Sequence, residues 1–309
     1  MRIDNSTAQG VDQAMERKLD MDAFGAAALT AFALHLAFNQ VVIKVTAGGF
    51  SPVFAAGIRS AGAVLVLIVW MYLRGVSWRM PRAALPWAVV SGLLFAFEFM
   101  CLYNALDLST VSRSSVIFYS MPLWLALASI VLLPEERMTR RKALGLALAF
   151  SGVVIALAER GGGQVSWAGD LLAVCSAMCW AGIALVVRVT PLADVPPEQQ
   201  LISQVLVSAP ILLLLAPFFG PLLRDIQPIH VAGMAFQIIA VASLGFLAWF
   251  WLMKRYPANS VASFSFISPV ASVLLGWILL GEQIAASIWV ALVLVAAGIT
   301  LINRKPKRV

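Results

Sequence analysis

The chain alternates long apolar runs with short polar connections. Ten runs stand out, at about 23–46, 53–73, 84–106, 109–133, 141–158, 167–189, 198–219, 230–253, 259–280 and 285–303, with boundaries drawn at charges, prolines and glycines. A bilayer core about 30 Å thick takes about 20 apolar residues at 1.5 Å per residue, so each run fits one membrane-spanning helix. Backbone groups in lipid must be satisfied within the span, and runs such as Leu146–Leu157 lack the polar alternation of a barrel strand. The connections leave no room for a second soluble domain. The expected fold class is an all-α membrane protein of ten transmembrane helices.

Composition sharpens this picture. Hydrophobic residues make up 61% of the 309 and charged residues only 12%, against about 45–50% and about 25% in soluble proteins. Mean hydropathy is +0.91. Such a chain cannot cover its own surface in water, which excludes a soluble enzyme, a disordered protein and a nucleic-acid-binding domain. The net charge of +7 points to topology instead. With the N-terminus inside, 17 of the 22 Lys and Arg fall on the inner side; Lys44, Arg160 and Arg224 fall outside, and Arg59 and Arg113 within spans. That bias predicts a multi-pass protein of the bacterial-type inner (plasma) membrane with both termini cytoplasmic. Residues 1–22 are too polar for a signal-peptide core and read as a cytosolic tail; residues 304–309 read as a basic one. Cys101, Cys175 and Cys179 lie in apolar runs without metal or redox spacing and read as packing residues.

The sequence also repeats. A shift of 144 places Gly25 on Gly169, Lys44-Val45-Thr46 on Arg188-Val189-Thr190 and Pro52 on Pro196; a shift of 147 places Pro122 on Pro269 and Glu135 on Glu282. The halves, 23–158 and 167–303, hold five spans each. Because five is odd, the second half inserts upside down, giving two inverted five-helix repeats around a central cavity, as in secondary transporters.

With these features the chain resembles the EamA-type members of the drug/metabolite transporter superfamily: five-plus-five helices, Arg59 early in span two, Pro122 and Pro269 in spans four and nine, and Leu133-Pro134-Glu135 and Leu280-Gly281-Glu282 at their ends. Within that family it looks most like the YddG-type amino-acid exporters. The resemblance implies a ten-helix basket, with helices 1–4 and 6–9 around the cavity and 5 and 10 peripheral. It also implies export of amino acids or other small metabolites. Pro134 departs from the Gly281 of the second half, so the two turns need not be equivalent.

Polar residues inside hydrocarbon mark candidate chemistry. On span one these are His35, Asn39 and Gln40; span three carries Phe95 and Glu98 on one face, and span four Tyr119. The second half contributes Trp180, Gln204, Phe246, Phe250, Ser265 and Ser268. A pathway of aromatics with a few amides and hydroxyls suits a small zwitterion with an apolar side chain. Glu98 lies about 12 Å, Arg59 about 9 Å and Arg113 about 6 Å below the outer surface at 1.5 Å per residue. Glu98 is therefore expected to meet Arg59 or Arg113, either as a helix lock or as a gate or recognition element. His35 suits either proton coupling or a simple helix–helix hydrogen bond. Pro122 and Pro269 are candidate hinges or static kinks. Glu135 and Glu282 are each expected to face the N-terminus of the span that follows.

Two other classes compete with a carrier. A membrane enzyme would need clustered acids or a His/acid pair, yet the chain has only His35 and His230, and Glu98 is the one carboxylate deep in a span; no GxxxxGK[ST] loop occurs to bind ATP. A channel would more naturally be an oligomer with a polar ring. The expectation is a non-enzymatic exporter working by alternating access. It needs no cofactor or metal, acts as a monomer in the lipid bilayer, and has a small-molecule substrate and no nucleic-acid partner.

Overall fold

A computed structural model describes residues 22–132, 138–159, 166–256, 264 and 267–303. Ten apolar helices run through it. They are α1 (Ala23–Thr46), α2 (Pro52–Arg74), α3 (Leu85–Leu108), α4 (Val111–Leu132), α5 (Arg140–Ala158), α6 (Trp167–Val189), α7 (Pro197–Leu215), α8 (228–255), α9 (Ile267–Leu280) and α10 (Ala286–Asn303). Eight are long enough to cross a membrane, and α9 and α10 are shorter apolar helices. Among the described residues there is no strand, only one bridge between Phe50 and Leu223.

Helix ends follow local chemistry. Asp22, Thr139 and Ser166 accept from the backbone N–H three residues on and start α1, α5 and α6. Pro52 and Pro197 begin α2 and α7, where a missing N–H costs nothing. Gly75 and Gly281, with φ of 64° and 65°, close α2 and α9 in the left-handed region. Two spans are irregular. Span α4 breaks into Val111–Phe118 and Met121–Leu132 because Pro122 has no N–H for the Phe118 carbonyl and its ring crowds it. In α8, residues Gln237–Gly245 form a π-helix between two α-helical pieces.

The helices close into a ring in which each packs on the next, in the order α3, α6, α4, α9, α1, α8, α2, α7 and back to α3. α5 and α10 stand outside it, packed on each other. Exchanging the halves turns α3–α6 into α8–α1, α6–α4 into α1–α9 and α3–α7 into α8–α2, while α2–α7, α4–α9 and α5–α10 map onto themselves; every one of these contacts is present. That is the signature of a two-fold relation between five-helix repeats. The α5–α10 crossing is set by small residues: a Cβ on Gly298 would stand 2.5 Å from the Gly145 carbonyl oxygen and 2.6 Å from the Ala149 nitrogen. The outer surface is apolar, with Leu65, Val69, Leu93 and Leu214 exposed, which is tolerable only against lipid.

Candidate functional site

The ring interior is walled by aromatics from both halves. Phe95 and Phe99, one turn apart on α3, pack edge to face at 4.6 Å between centroids. Phe95 meets Phe246 of α8 at 6.5 Å, Phe246 meets Trp180 of α6 at 6.1 Å, and Trp180 meets Phe118 of α4 at 6.1 Å. Arg59 of α2 lays its guanidinium 4.0 Å from the Phe99 centroid.

Glu98 and Arg59 are 0% and 1% exposed. Glu98 Oε1 accepts from Ser176 Oγ at 3.3 Å, while Glu98 Oε2 and Arg59 Nε and Nη1 have no hydrogen-bond partner. Arg59 is near enough to act electrostatically on Glu98, but among the described residues no hydrogen bond or ion pair joins the two.

Arg113 requires a correction. It does not meet Glu98 but forms a bidentate pair with Asp170 at the start of α6, Nε to Oδ1 at 2.6 Å and Nη2 to Oδ2 at 2.8 Å. Its Nη1 and Nη2 also donate to the carbonyls of Glu159 and Leu157 at the end of α5. The reason is reach: the side chain extends along its helix to a carboxylate and two helix-end carbonyls lacking intrahelical donors. Asp170 escaped the sequence reading because it lies in a first turn, where an acid reads as serving the helix dipole.

The remaining predicted pathway residues divide. Tyr119 of α4 lies close to Gln40 of α1 and to Ser268 and Ser272 of α9. Asn39 Oδ1, Gln40 Oε1 and Ser272 Oγ are buried without partners, and Ser268 donates to the Ala33 carbonyl of α1 at 3.2 Å. Gln204 donates to Ser91 Oγ at 2.8 Å and so ties α7 to α3. His35 packs on α8, its Nε2 donating to the Ala240 carbonyl of the π-helix at 3.1 Å beside the Phe236 ring. Pro122 stands at the break in α4, and Pro269 is buried in the first turn of the described part of α9. Ser265, Glu135 and the Phe250 side chain lie outside the described residues.

The end of the bundle carrying the α1–α2 turn is sealed. Arg224 Nη1 and Nη2 pair with both Asp107 oxygens at 2.8 Å, and Nη1 also donates to the Ala47 carbonyl. The Asp107 carboxylate holds the Arg224 guanidinium above its ordinary pKa. Backbone bonds from Ser51 N to the Leu222 carbonyl and from Arg224 N to the Gly49 carbonyl stitch the same loops. Lys44 Nζ caps the end of α3 through the Asp107 and Ser109 carbonyls. Just beneath, Tyr103 donates to Gln237, which donates to Thr46 Oγ1 at 2.9 Å. Glu282 corrects a second expectation: it accepts from Val111 N at 2.6 Å and Ser112 N at 2.9 Å, capping α4 of the opposite half rather than the following α10. Sequence pattern gave no sign of Asp107, Arg224 or Gln237 as partners, since pairing across halves leaves no local spacing; Ser176 stood out only as a polar residue within its span. Among the described residues no cluster of His, Cys, Asp or Glu is placed to hold a metal ion.

Comparison with known proteins adds a second line of observation. The model of the EamA-like transporter family matches residues 23–158 and 167–304. The "Uncharacterized transporter YvbV" of Bacillus subtilis is 29% identical over 289 residues, covering 90% of this chain and 93% of its own. Protein PA1977 of Pseudomonas aeruginosa is 31% identical over 285 residues, covering 89% and 91%. A Salmonella typhimurium protein named "Probable amino-acid metabolite efflux pump" is 25% identical over 273 residues, covering 84% and 88%. One solved crystal structure shares the fold with a TM-score of 0.64 at 24% identity, covering 89% of this chain and 96% of its own.

Proposed function

The chain belongs to the EamA-like transporter family, and from that premise we propose that it exports small metabolites, amino acids with apolar or aromatic side chains foremost, by alternating access across the inner membrane. It is a multi-pass membrane protein, and its family and relatives are transporters rather than enzymes. The observation that carries the substrate reading is the ring interior, where an aromatic wall runs beside buried polar atoms with no partner in the protein. Buried polar groups are normally satisfied, so a set of them facing one interior suits a polar ligand with an apolar part. The name of the Salmonella relative agrees in kind. The Lys and Arg bias supports cytoplasmic termini; in that orientation the sealed end is the outer one and a substrate enters from the cytoplasmic side.

Counterflow in proteoliposomes tests the proposal. Vesicles loaded with an unlabelled amino acid should take up the same labelled amino acid transiently and saturably. Ion current without counterflow, or no uptake across a panel of apolar and aromatic amino acids, refutes it.

A further inference from the structure

Two opposite charges sit buried in the ring interior without meeting. The Arg59 guanidinium carbon stands 4.0 Å from the Phe99 centroid, so its charge has a ring face while its Nε and Nη1 donors have nothing to donate to. The Glu98 carboxylate has one oxygen on Ser176 and the other unpartnered. Neighbouring polar groups do not fill these vacancies. The Tyr103 hydroxyl is committed to Gln237, and Ser60 is bonded to Ser208. A lock between helices would bring the two charges together, as Arg113 and Asp170 are brought together elsewhere in this molecule. Opposite charges held apart, each with free valences, complement a ligand that carries both signs on one small head group.

We propose that Arg59 and Glu98 form a two-point site for the head group of an α-amino acid. Arg59 donates Nε or Nη1 to the α-carboxylate, Glu98 Oε2 accepts from the α-ammonium, and Phe95, Phe99 and Phe246 take the side chain. A guanidinium fits a carboxylate in plane, and a carboxylate that keeps one oxygen free accepts an ammonium hydrogen directly. The ligand brings no net charge into lipid, so the site stays as neutral loaded as empty. The inference rests on the amino-acid reading above and adds which residue reads which end of the substrate.

The test is competition in the counterflow assay with the full-length protein, using labelled L-phenylalanine against unlabelled L-phenylalanine, its methyl ester and its N-acetyl derivative. The ester removes the carboxylate charge and the acetyl group removes the ammonium. Wild type should prefer the free amino acid over each derivative by about tenfold or more, the scale of one charge-assisted hydrogen bond. R59Q should lose its discrimination against the ester and keep that against the N-acetyl compound; E98Q should do the reverse. If either variant transports too slowly, ligand-induced melting shifts of the purified protein read the same preferences, and an equal loss of both discriminations in each variant overturns the assignment. Counterflow by wild type without head-group discrimination overturns this inference and leaves amino-acid export standing. Absence of any amino-acid counterflow removes both.

Discussion

Replacing Asp170 with Ala should be among the most damaging single changes outside the ring interior. Both partners of the Arg113–Asp170 pair are buried, with side chains 3% and 1% exposed, and the pair is bidentate. Removing the acid strands a guanidinium that retains only the Leu157 and Glu159 carbonyls. Breaking a buried pair from one side costs about 3–5 kcal/mol because the surviving charge is uncompensated. The two carbonyls offset part of that, so about 3 kcal/mol is expected for Asp170→Ala. Asp170→Asn should cost less, since the amide oxygen still accepts from Nε. Replacing both residues with apolar ones, Arg113→Met with Asp170→Leu, removes the stranded guanidinium but also its donations to the Leu157 and Glu159 carbonyls. The double variant should therefore be less destabilised than the sum of the singles by about 2 kcal/mol, within the range for residues in contact. Reversible SDS-driven unfolding in mixed micelles measures all four species of the cycle. A coupling energy near zero, or Asp170→Ala within about 0.5 kcal/mol of wild type, the level of an ordinary surface substitution, would refute the idea that this pair clamps α4 and α6 to the end of α5.

Three further outcomes are expected. Asp107→Asn should barely lower the melting point, because Arg224 is 36% exposed and such a pair is worth at most about 1 kcal/mol; its effect should instead be faster hydrogen exchange at the Ser51 and Arg224 amides that stitch the sealed end, and unchanged exchange there argues against a latch. Gly298→Ala should destabilise the protein by about 1–3 kcal/mol, since the new methyl meets backbone atoms of α5 that cannot rotate aside; thermal melting in detergent checks it. Glu282→Gln should cost about 1 kcal/mol, because the amide keeps one acceptor for the Val111 and Ser112 amides that now share a carboxylate, and exchange at those two amides should rise while that in α10 does not.

The spans and the repeat were legible because lipid forces long apolar runs and duplication leaves register marks such as Pro122 and Pro269; the ring of eight with two helices outside came only with the family resemblance. Partnership across the ring was not legible. Periodicity gives each helix a face without naming what it faces, so it did not show that the Gln204 amide donates to Ser91, nor that of the two readings open for His35 the helix–helix hydrogen bond, to the Ala240 carbonyl, is the one present. The π-helix over Gln237–Gly245 has no sequence mark in a run of small and apolar residues. Arg113 was misplaced by depth counting alone: a long side chain ends several ångströms from its own Cα.

The paired loops that seal one end bear on how the carrier rests when empty. In the repeat register, the positions answering to Asp107 and Arg224 fall within 251–254 and 77–80, where Lys254 and Arg79 are the charged residues and neither stretch holds an acid. At those positions the sequence thus holds no counterpart of the Asp107–Arg224 pair. The latch is written into one half-pairing of the repeat and not into its mirror, and the end that carries it is the end stitched shut.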